Sequence, residues 1–210
     1  MGASCAKVRL IRREIRYFKS LGPNVTLPLL SLSQKLAVLM RLLSGERGQT
    51  LLAFDVTHMV LLDGSVTFHI VDLLKTSRPG WHKSVVSFSA FPHDYDLCVI
   101  SALRTYLRIT FPLRAGETKL FLISRKPFRR ASSGTLSNWT KAVLRASGID
   151  VTAFAAGSTR QASASRAHET LPLDVVMKAV GWTRRSTFAN YYHKPISPIG
   201  YSEAILHNFS

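Results

Sequence analysis

Two short segments of this 210-residue chain place an arginine where an anion is expected. Arg47 stands in a glycine-flanked turn, residues 44–51, between two apolar stretches. Arg160 ends the sequence Gly-Ser-Thr-Arg at residues 157–160, at the start of an alanine-rich helix. Free backbone N–H groups and the helix dipole attract an anion there, and a cation is mildly unfavourable unless it shares that anion. Arg160 therefore indicates anion binding. Arg47 does so because a charge between two buried apolar segments has no structural reason to be there, with a surface arginine that caps a helix C-terminus as the alternative.

Two further segments supply a possible proton donor, an indole N–H and a phenol. Lys75 lies in residues 74–80, at the predicted tip of a β turn, where a solvated lysine is the ordinary alternative. Trp182 and Tyr191 stand nine positions apart, and Trp182 has the alternative role of a core aromatic. Tyr192 competes with Tyr191, but neighbours on a helix point about 100° apart, so both cannot face one group.

Most other catalytic patterns are missing from the sequence. It has no Gly-x-x-x-x-Gly-Lys-Ser/Thr loop, no His-Glu-x-x-His, no Gly-x-Ser-x-Gly and no evident trio of acidic residues for two metal ions. Two cysteines, Cys5 and Cys98, are too few for a disulfide framework or a four-ligand zinc site. We expect an intracellular protein without metal or cofactor, whose own cations would carry the chemistry.

The charge balance points to nucleic acid as the partner. Lys and Arg number 28 against 12 Asp and Glu, a formal charge of +16. No apolar stretch approaches the roughly 18 residues that span a bilayer, so no membrane association is expected. The candidate phosphate contacts, each with a solvated surface charge as the alternative, are Arg78, Arg125, Lys126, Arg129, Arg130, Arg184 and Arg185.

Hydrophobic periodicity predicts one mainly helical domain with a small antiparallel sheet. Three β-rich runs are expected at 58–62, 66–71 and 84–88, with Asp63-Gly64 as a hairpin turn between the first two. Residues 119–123 form a further short extended candidate. Helices are expected at 9–21, from 31 or 33 to 45, from 92 to about 111, and at 135–147, 158–170, 173–180 and 186–192.

The order of the candidate residues resembles the tyrosine recombinase (phage integrase) family over about residues 25–195. In that family an arginine in a Gly-rich turn, a hairpin lysine, a His-x-x-Arg helix start, a His or Trp, and a tyrosine nine residues beyond it assemble one site. The segments at 44–51, 74–80 and 158–165 look especially like recombinases of animal mobile elements, such as DIRS-type retrotransposons and cryptons. The matching residues, in chain order, are Arg47, Lys75, Arg160, Trp182 and Tyr191.

The resemblance implies a DNA-cleaving enzyme. Tyr191 would attack a phosphodiester, Arg47, Arg160 and Trp182 would bind its non-bridging oxygens, and Lys75 would protonate the departing 5′ oxygen, with no metal or ATP. Residues 25–196 would form the catalytic domain, residues 1–24 a basic helix left from a core-binding domain, and residues 197–210 a tail. The implied setting is integration of a mobile element in the nucleus, on double-stranded DNA, as a homo-oligomer such as a tetramer.

Three departures from the family pattern keep another function open. Gly157 replaces the histidine of His-x-x-Arg, and Thr50 replaces the acidic residue that commonly follows the first arginine, with Gln49 beside it as a possible substitute. Few residues precede the resemblance, so a DNA-clamping N-terminal domain is expected elsewhere or missing. His168 and His193 are spare imidazoles. The alternatives are a catalytically impaired or domesticated DNA-binding protein of this fold, and an unrelated basic RNA-associated protein.

Overall fold

The computed structural model describes residues 2–72, 85–154 and 157–180, with the backbone alone for residues 2–9 and 178–179. The fold is α+β and mainly α-helical, with a small three-stranded antiparallel sheet. Its helices and strands, in chain order, are α1 (Gly2–Ser20), α2 (Leu29–Ser44), α3 (Gly48–Ala53), β1 (Met59–Leu61), β2 (Ser65–His69), β3 (Val85–Ser89), α4 (Val99–Thr110), α5 (Ser133–Ala146), α6 (Ser158–Ala167) and α7 (Leu173–Ala179).

Helix α2 runs through the centre of the core. Its apolar side chains, such as Leu36 and Leu39, are fully buried, and it packs against α4, α5 and α6. The predicted stop at Gly45 is confirmed: this residue takes the left-handed conformation at φ 64°, which costs glycine no steric strain. Its N–H donates to the Arg41 carbonyl and ends the helix. The chain is thereby free to turn immediately before Arg47.

The three predicted β runs form one antiparallel sheet of order β1-β2-β3. Phe68 in the middle strand lies opposite Met59 on one side and Val86 on the other. Alternate side chains of β2 and β3 face the core, and Phe54 stacks on Phe68 with ring centroids 4.3 Å apart. The alternation is the period-2 pattern that predicted the strands. The turn at Asp63-Gly64 joins β1 to β2.

The predicted start of the fourth helix at residue 92 is wrong, because α4 begins at Val99. The carboxylate of Asp94 accepts hydrogen bonds from the N–H groups of Asp96 and Leu97, at 3.0 and 3.2 Å. This local side-chain bonding turns the backbone and competes with helix formation. Smaller differences are that α1 begins at residue 2, that α6 ends at residue 167, and that residues 119 and 122 form isolated bridges with 55 and 130.

Helices α1 and α6 pack directly on each other. The buried face of α6 consists of small side chains, including Ala162, Ser163 and Ala164, which let neighbouring helices approach closely. Apolar side chains of α1, such as Ile15 and Phe18, are buried in the same hydrophobic core. The origin of residues 1–24 as a remnant of a core-binding domain stays a prediction.

Two searches of the described residues gave negative results. No helix in residues 2–72, 85–154 and 157–180 is long and apolar enough to cross a membrane. The same ranges contain no group of His, Cys, Asp and Glu side chains that could hold a metal ion.

Candidate functional site

Arg160 lies in the first turn of α6, and its side chain bridges the ends of two other helices. Its Nε donates to the carbonyl of Gly45 at 2.7 Å, and its Nη2 donates to the carbonyl of Val180 at 2.6 Å. Gly45 follows α2 and Val180 follows α7, so both carbonyls belong to helix C-terminal ends, which carry partial negative charge. This partial charge stabilises a half-buried guanidinium beside a helix N-terminus.

Arg47 lies two residues beyond the Gly45 carbonyl that Arg160 binds. It precedes the first turn of the short helix α3, in extended conformation at φ −76° and ψ 153°. Its side chain is exposed, with no hydrogen bond or ion pair to any residue that the structure describes. The two predicted anion-binding arginines therefore meet at one turn, one tethered to helix ends and one open to solvent.

Glu46 is a residue of this turn that sequence reasoning did not select. Its Oε2 accepts the hydroxyl of Thr50 at 2.8 Å and the backbone N–H of Arg47 at 3.3 Å. Thr50 is the residue at the position where the family pattern commonly has an acid, and it is 5% exposed. A carboxylate thus lies against Thr50 after all, supplied from four residues upstream. The signal in the sequence was an acidic residue four positions before Thr50.

Gly157, the residue in place of the family histidine, stands at the N-cap of α6 and is exposed. A Cβ at this position would meet no atom of the described residues within 4 Å, so a side chain has room beside them. His168 does not substitute for the missing imidazole. It is buried just after the last residue of α6, eight residues from Arg160, which is about 12 Å along the helix axis.

The predicted basic run is exposed at all four positions, 125, 126, 129 and 130. Arg130 lines an open cleft of about 360 Å³ that extends to Gln49 and Leu52 on α3. Arg125 lines a second cleft of about 400 Å³ with Asn138 and Trp139 of α5. The first cleft connects the basic run to the helix that Arg47 precedes.

Lys119, on the wall of the same cleft, is an unpredicted member of a charged cluster. Its Nζ lies 2.7 Å from Asp72 Oδ2 and 3.5 Å from Asp55 Oδ2. Burial alone would raise the pKa of Asp55, but hydrogen bonds from Thr57 and Thr118, together with the Lys119 cation, hold this pKa below its ordinary value. Lys119 is therefore neutralised by two carboxylates.

The remaining predicted site residues fall in segments 73–84 and 181–210, outside the residues that the structure describes. Asp72 precedes the first of these segments in sequence, and Val180, whose carbonyl binds Arg160, precedes the second. The predictions concerned are Lys75, Arg78, Trp182, Arg184, Arg185, Tyr191, the spare imidazole His193 and the helix at 186–192.

Solved structures with the same architecture come from site-specific recombinases. The chain is similar to XerH bound to its difH substrate in a pre-cleavage complex, with a TM-score of 0.66 at 14% identity over 88% of this chain. This is the fold of a tyrosine recombinase catalytic domain. XerH in a post-cleavage complex with palindromic difH gives a TM-score of 0.64 over 94% of this chain, and XerA one of 0.60 over 89%, each at 14% identity.

The match with this chain covers only part of the length of these recombinases. The present chain spans 48% of the length of either XerH chain and 57% of XerA. No family model matches the sequence, and no curated protein does either. At 14% identity, the similarity establishes the fold, and the chemistry must be argued from the residues.

Proposed function

We propose that this protein cleaves and rejoins DNA strands through a 3′-phosphotyrosine intermediate. The observation that carries the proposal is the meeting of Arg160 and Arg47 at the turn after α2, within a recombinase fold. Two guanidinium groups at one turn suit the two non-bridging oxygens of a phosphodiester. Two carbonyls hold the Arg160 guanidinium in place, so binding a phosphate would need little reorganisation of this side chain.

The proposed reaction begins with attack of the Tyr191 hydroxyl on the scissile phosphorus. The P–O5′ bond breaks as the P–O bond to the tyrosine forms; the phenol proton passes to solvent water, and Lys75 gives a proton to the departing 5′ oxygen. A tyrosine with a pKa of about 10 needs a phosphate whose charge is neutralised. The arginines and the Trp182 indole N–H would supply that neutralisation, and donors of this kind are typically worth about 2.7–4 kcal/mol each.

Rejoining is the same reaction in reverse. The 5′ hydroxyl of another strand attacks the phosphotyrosine and gives its proton to the neutral Lys75 amine, and the tyrosine leaves as a phenolate that takes a proton from solvent water. The total number of phosphodiester bonds is unchanged, so the proposed mechanism needs no ATP, and the arginines and Lys75 supply the positive charge. Double-stranded DNA is the proposed partner, and a tetramer acting in the nucleus on a mobile element is the proposed setting.

A second candidate function is DNA binding by a catalytically impaired copy of this fold. It is favoured by Gly157, since the position that carries an imidazole in the family pattern is a glycine here and is exposed. General acid–base groups typically contribute about 10²–10⁴-fold to a rate, so their loss can silence an enzyme while leaving its phosphate-binding arginines in place.

Covalent trapping distinguishes the two candidates. The full chain is incubated with a pool of duplex oligonucleotides that carry a randomised segment and nicks, placed so that the strand end released by cleavage diffuses away. Adducts that survive denaturing electrophoresis and are absent with Tyr191→Phe support the enzyme. Tyr192→Phe is the matched control and should retain them. Adducts that persist in Tyr191→Phe contradict the nucleophile assignment, whereas DNA binding without adducts supports the second candidate.

A further inference from the structure

Glu14 on α1 is a fully buried carboxyl group that contacts the residue before Arg160. Its side chain is 0% exposed, and its Oε1 accepts the hydroxyl of Thr159 at 3.0 Å across 145 residues of sequence. Thr159 is itself 0% exposed and immediately precedes Arg160 in the first turn of α6. This hydrogen bond therefore connects α1 to α6 at Thr159, the residue before Arg160.

The surroundings of Glu14 connect four helices. Arg41 of α2 attracts its charge, and Arg41 Nη1 in turn donates to Thr140 of α5 at 3.4 Å. Glu14 Oε2 and Arg41 Nε are buried without a hydrogen-bond partner in the described part of the chain. Burial raises the pKa of Glu14 to about 8, against the lowering effects of the Thr159 hydroxyl and Arg41. A buried carboxyl group with an unpaired oxygen lowers the stability of the fold, so packing alone does not explain why Glu14 occupies this position.

We propose that Glu14 is a positioning residue for Arg160: it holds the Thr159 hydroxyl and thereby fixes the first turn of α6 at the place from which the guanidinium reaches Gly45 and Val180. The remainder of α6 presents mostly alanine and serine to its neighbours. The alanines pack without directing the rotation of the helix about its axis, and Ser163 donates its hydroxyl to the Leu42 carbonyl of α2 one turn beyond Arg160. The Glu14–Thr159 hydrogen bond is the directed contact that lies beside Arg160 in the first turn itself.

The positioning itself is tested on the free protein and does not depend on DNA cleavage. The readout is the exchange rate with solvent of the Arg160 Nε–H, followed in ¹H–¹⁵N spectra of the full chain and assigned with Arg160→Lys. Rates are expressed relative to the amide of Leu36, in the core of α2. Glu14→Ala should raise the relative rate about tenfold, the effect of losing one hydrogen bond. An unchanged relative rate overturns the proposal.

Matched variants separate positioning from general loss of stability. Glu14→Gln and Thr159→Ser keep an acceptor and a hydroxyl, so both should behave like the wild type. Ile15→Ala removes an equally buried side chain from the same helix but no polar contact, so it should leave the relative rate unchanged. A response to Ile15→Ala as large as the response to Glu14→Ala contradicts the proposal. If Glu14→Ala does not fold, Thr159→Val carries the same prediction.

The consequence for catalysis rests on the proposed function. Where adducts form, Glu14→Ala should slow single-turnover cleavage about tenfold, and this effect should vanish in an Arg160→Ala background, because the two residues act through one interaction. If Glu14→Ala slows cleavage by the same factor in the wild type and in the Arg160→Ala background, the two residues act independently and positioning through Arg160 is contradicted. Absence of adducts from the wild type counts against the proposed enzyme alone, since the exchange measurement still decides the role of Glu14.

Discussion

The guanidinium of Arg160 and the carbonyl of Gly45 are joined by a 2.7 Å hydrogen bond, although 115 residues separate them in the chain. Through this bond the N-terminus of α6 meets the C-terminus of α2, and the turn that carries Arg47 begins at the same place. This hydrogen bond therefore stabilises the fold and also positions a residue of the candidate site. Arg160 should contribute to stability through it, whereas the exposed side chain of Arg47 should not.

Arg160→Ala should destabilise the protein, whereas Arg47→Ala should not. Loss of Arg160 leaves two helix-end carbonyls without a charged donor, which we expect to cost about 1–3 kcal/mol for this half-buried group. The Arg47 side chain is exposed and bonded to no described residue, so its removal should change the free energy of unfolding by less than about 0.5 kcal/mol. Urea denaturation of both variants measures the difference, and equal losses would contradict it.

Glu46 and Thr50 should be energetically coupled. The variants Glu46→Ala and Thr50→Val each remove their shared hydrogen bond, so the double variant should lose less than the sum of the single losses. The expected coupling is about 0.5–1.5 kcal/mol in the free energy of unfolding. Gln49→Ala is the control, because Gln49 is exposed and makes no side-chain bond to Thr50 among the described residues. Additive losses would exclude the assignment of Glu46 as the acid of this turn.

Stability should fall as pH rises toward the alkaline range. The pKa of Glu14 is raised by burial from 4.5 to about 8 in the folded protein, so the unfolded chain releases this proton first. The free energy of unfolding that depends on the protonated Glu14 is fully present below about pH 4.5. It is lost as pH rises through about 8, and the total loss is on the order of a few kcal/mol. The ionised group would still be attracted by Arg41, which limits the loss.

Glu14→Gln provides the comparison for this pH dependence. The amide does not titrate, so the difference in unfolding free energy between this variant and the wild type should grow between pH 5 and pH 8 and then level off. Chemical denaturation at a series of pH values measures it. A difference that stays constant with pH would mean that Glu14 is ionised in the folded protein throughout.

Gly157→His should be tolerated and should increase adduct formation. A Cβ at this position meets nothing within 4 Å in residues 2–72, 85–154 and 157–180, and the backbone φ of −73° is ordinary for any residue. We expect at most about 1 kcal/mol of destabilisation from loss of the N-cap glycine. The rate of trapping should rise at least tenfold over Gly157→Ala, within the usual range for a general acid–base group. Equal rates for both variants would show that an imidazole at 157 does not reach the phosphate.

The basic run should contribute to DNA affinity in a salt-dependent way. Arg129 and Arg130 are exposed, and Arg130 lines the cleft that leads to α3. The double variant Arg129→Ser/Arg130→Ser should lower the slope of log K against log salt by up to about 2, since each lost phosphate contact removes about 0.9. Arg108→Ser, an exposed arginine of α4, is the control and should leave the slope unchanged. Equal slopes for both variants would mean that the run is merely solvated.

Local patterns predicted most of the fold. The strands followed from alternation of apolar residues, and the end of α2 followed from Gly45, because both depend on near neighbours in the chain. The start of α4 was predicted too early, because apolar periodicity does not show side-chain bonding to the backbone. The carboxylate of Asp94 accepts the N–H groups of Asp96 and Leu97, and the resulting turn delays the helix.

The sequence by itself determined the residue types of the site: two arginines in glycine-containing turns, a strongly basic chain, and a glycine in place of the histidine. Only the tertiary structure decided which groups hold them. The Gly45 and Val180 carbonyls around Arg160, and the Glu14 carboxyl behind Thr159, are separated from α6 residues by 115, 20 and 145 positions. Such contacts arise from the packing of α1, α2 and α6, because burial brings together groups that no local spacing relates.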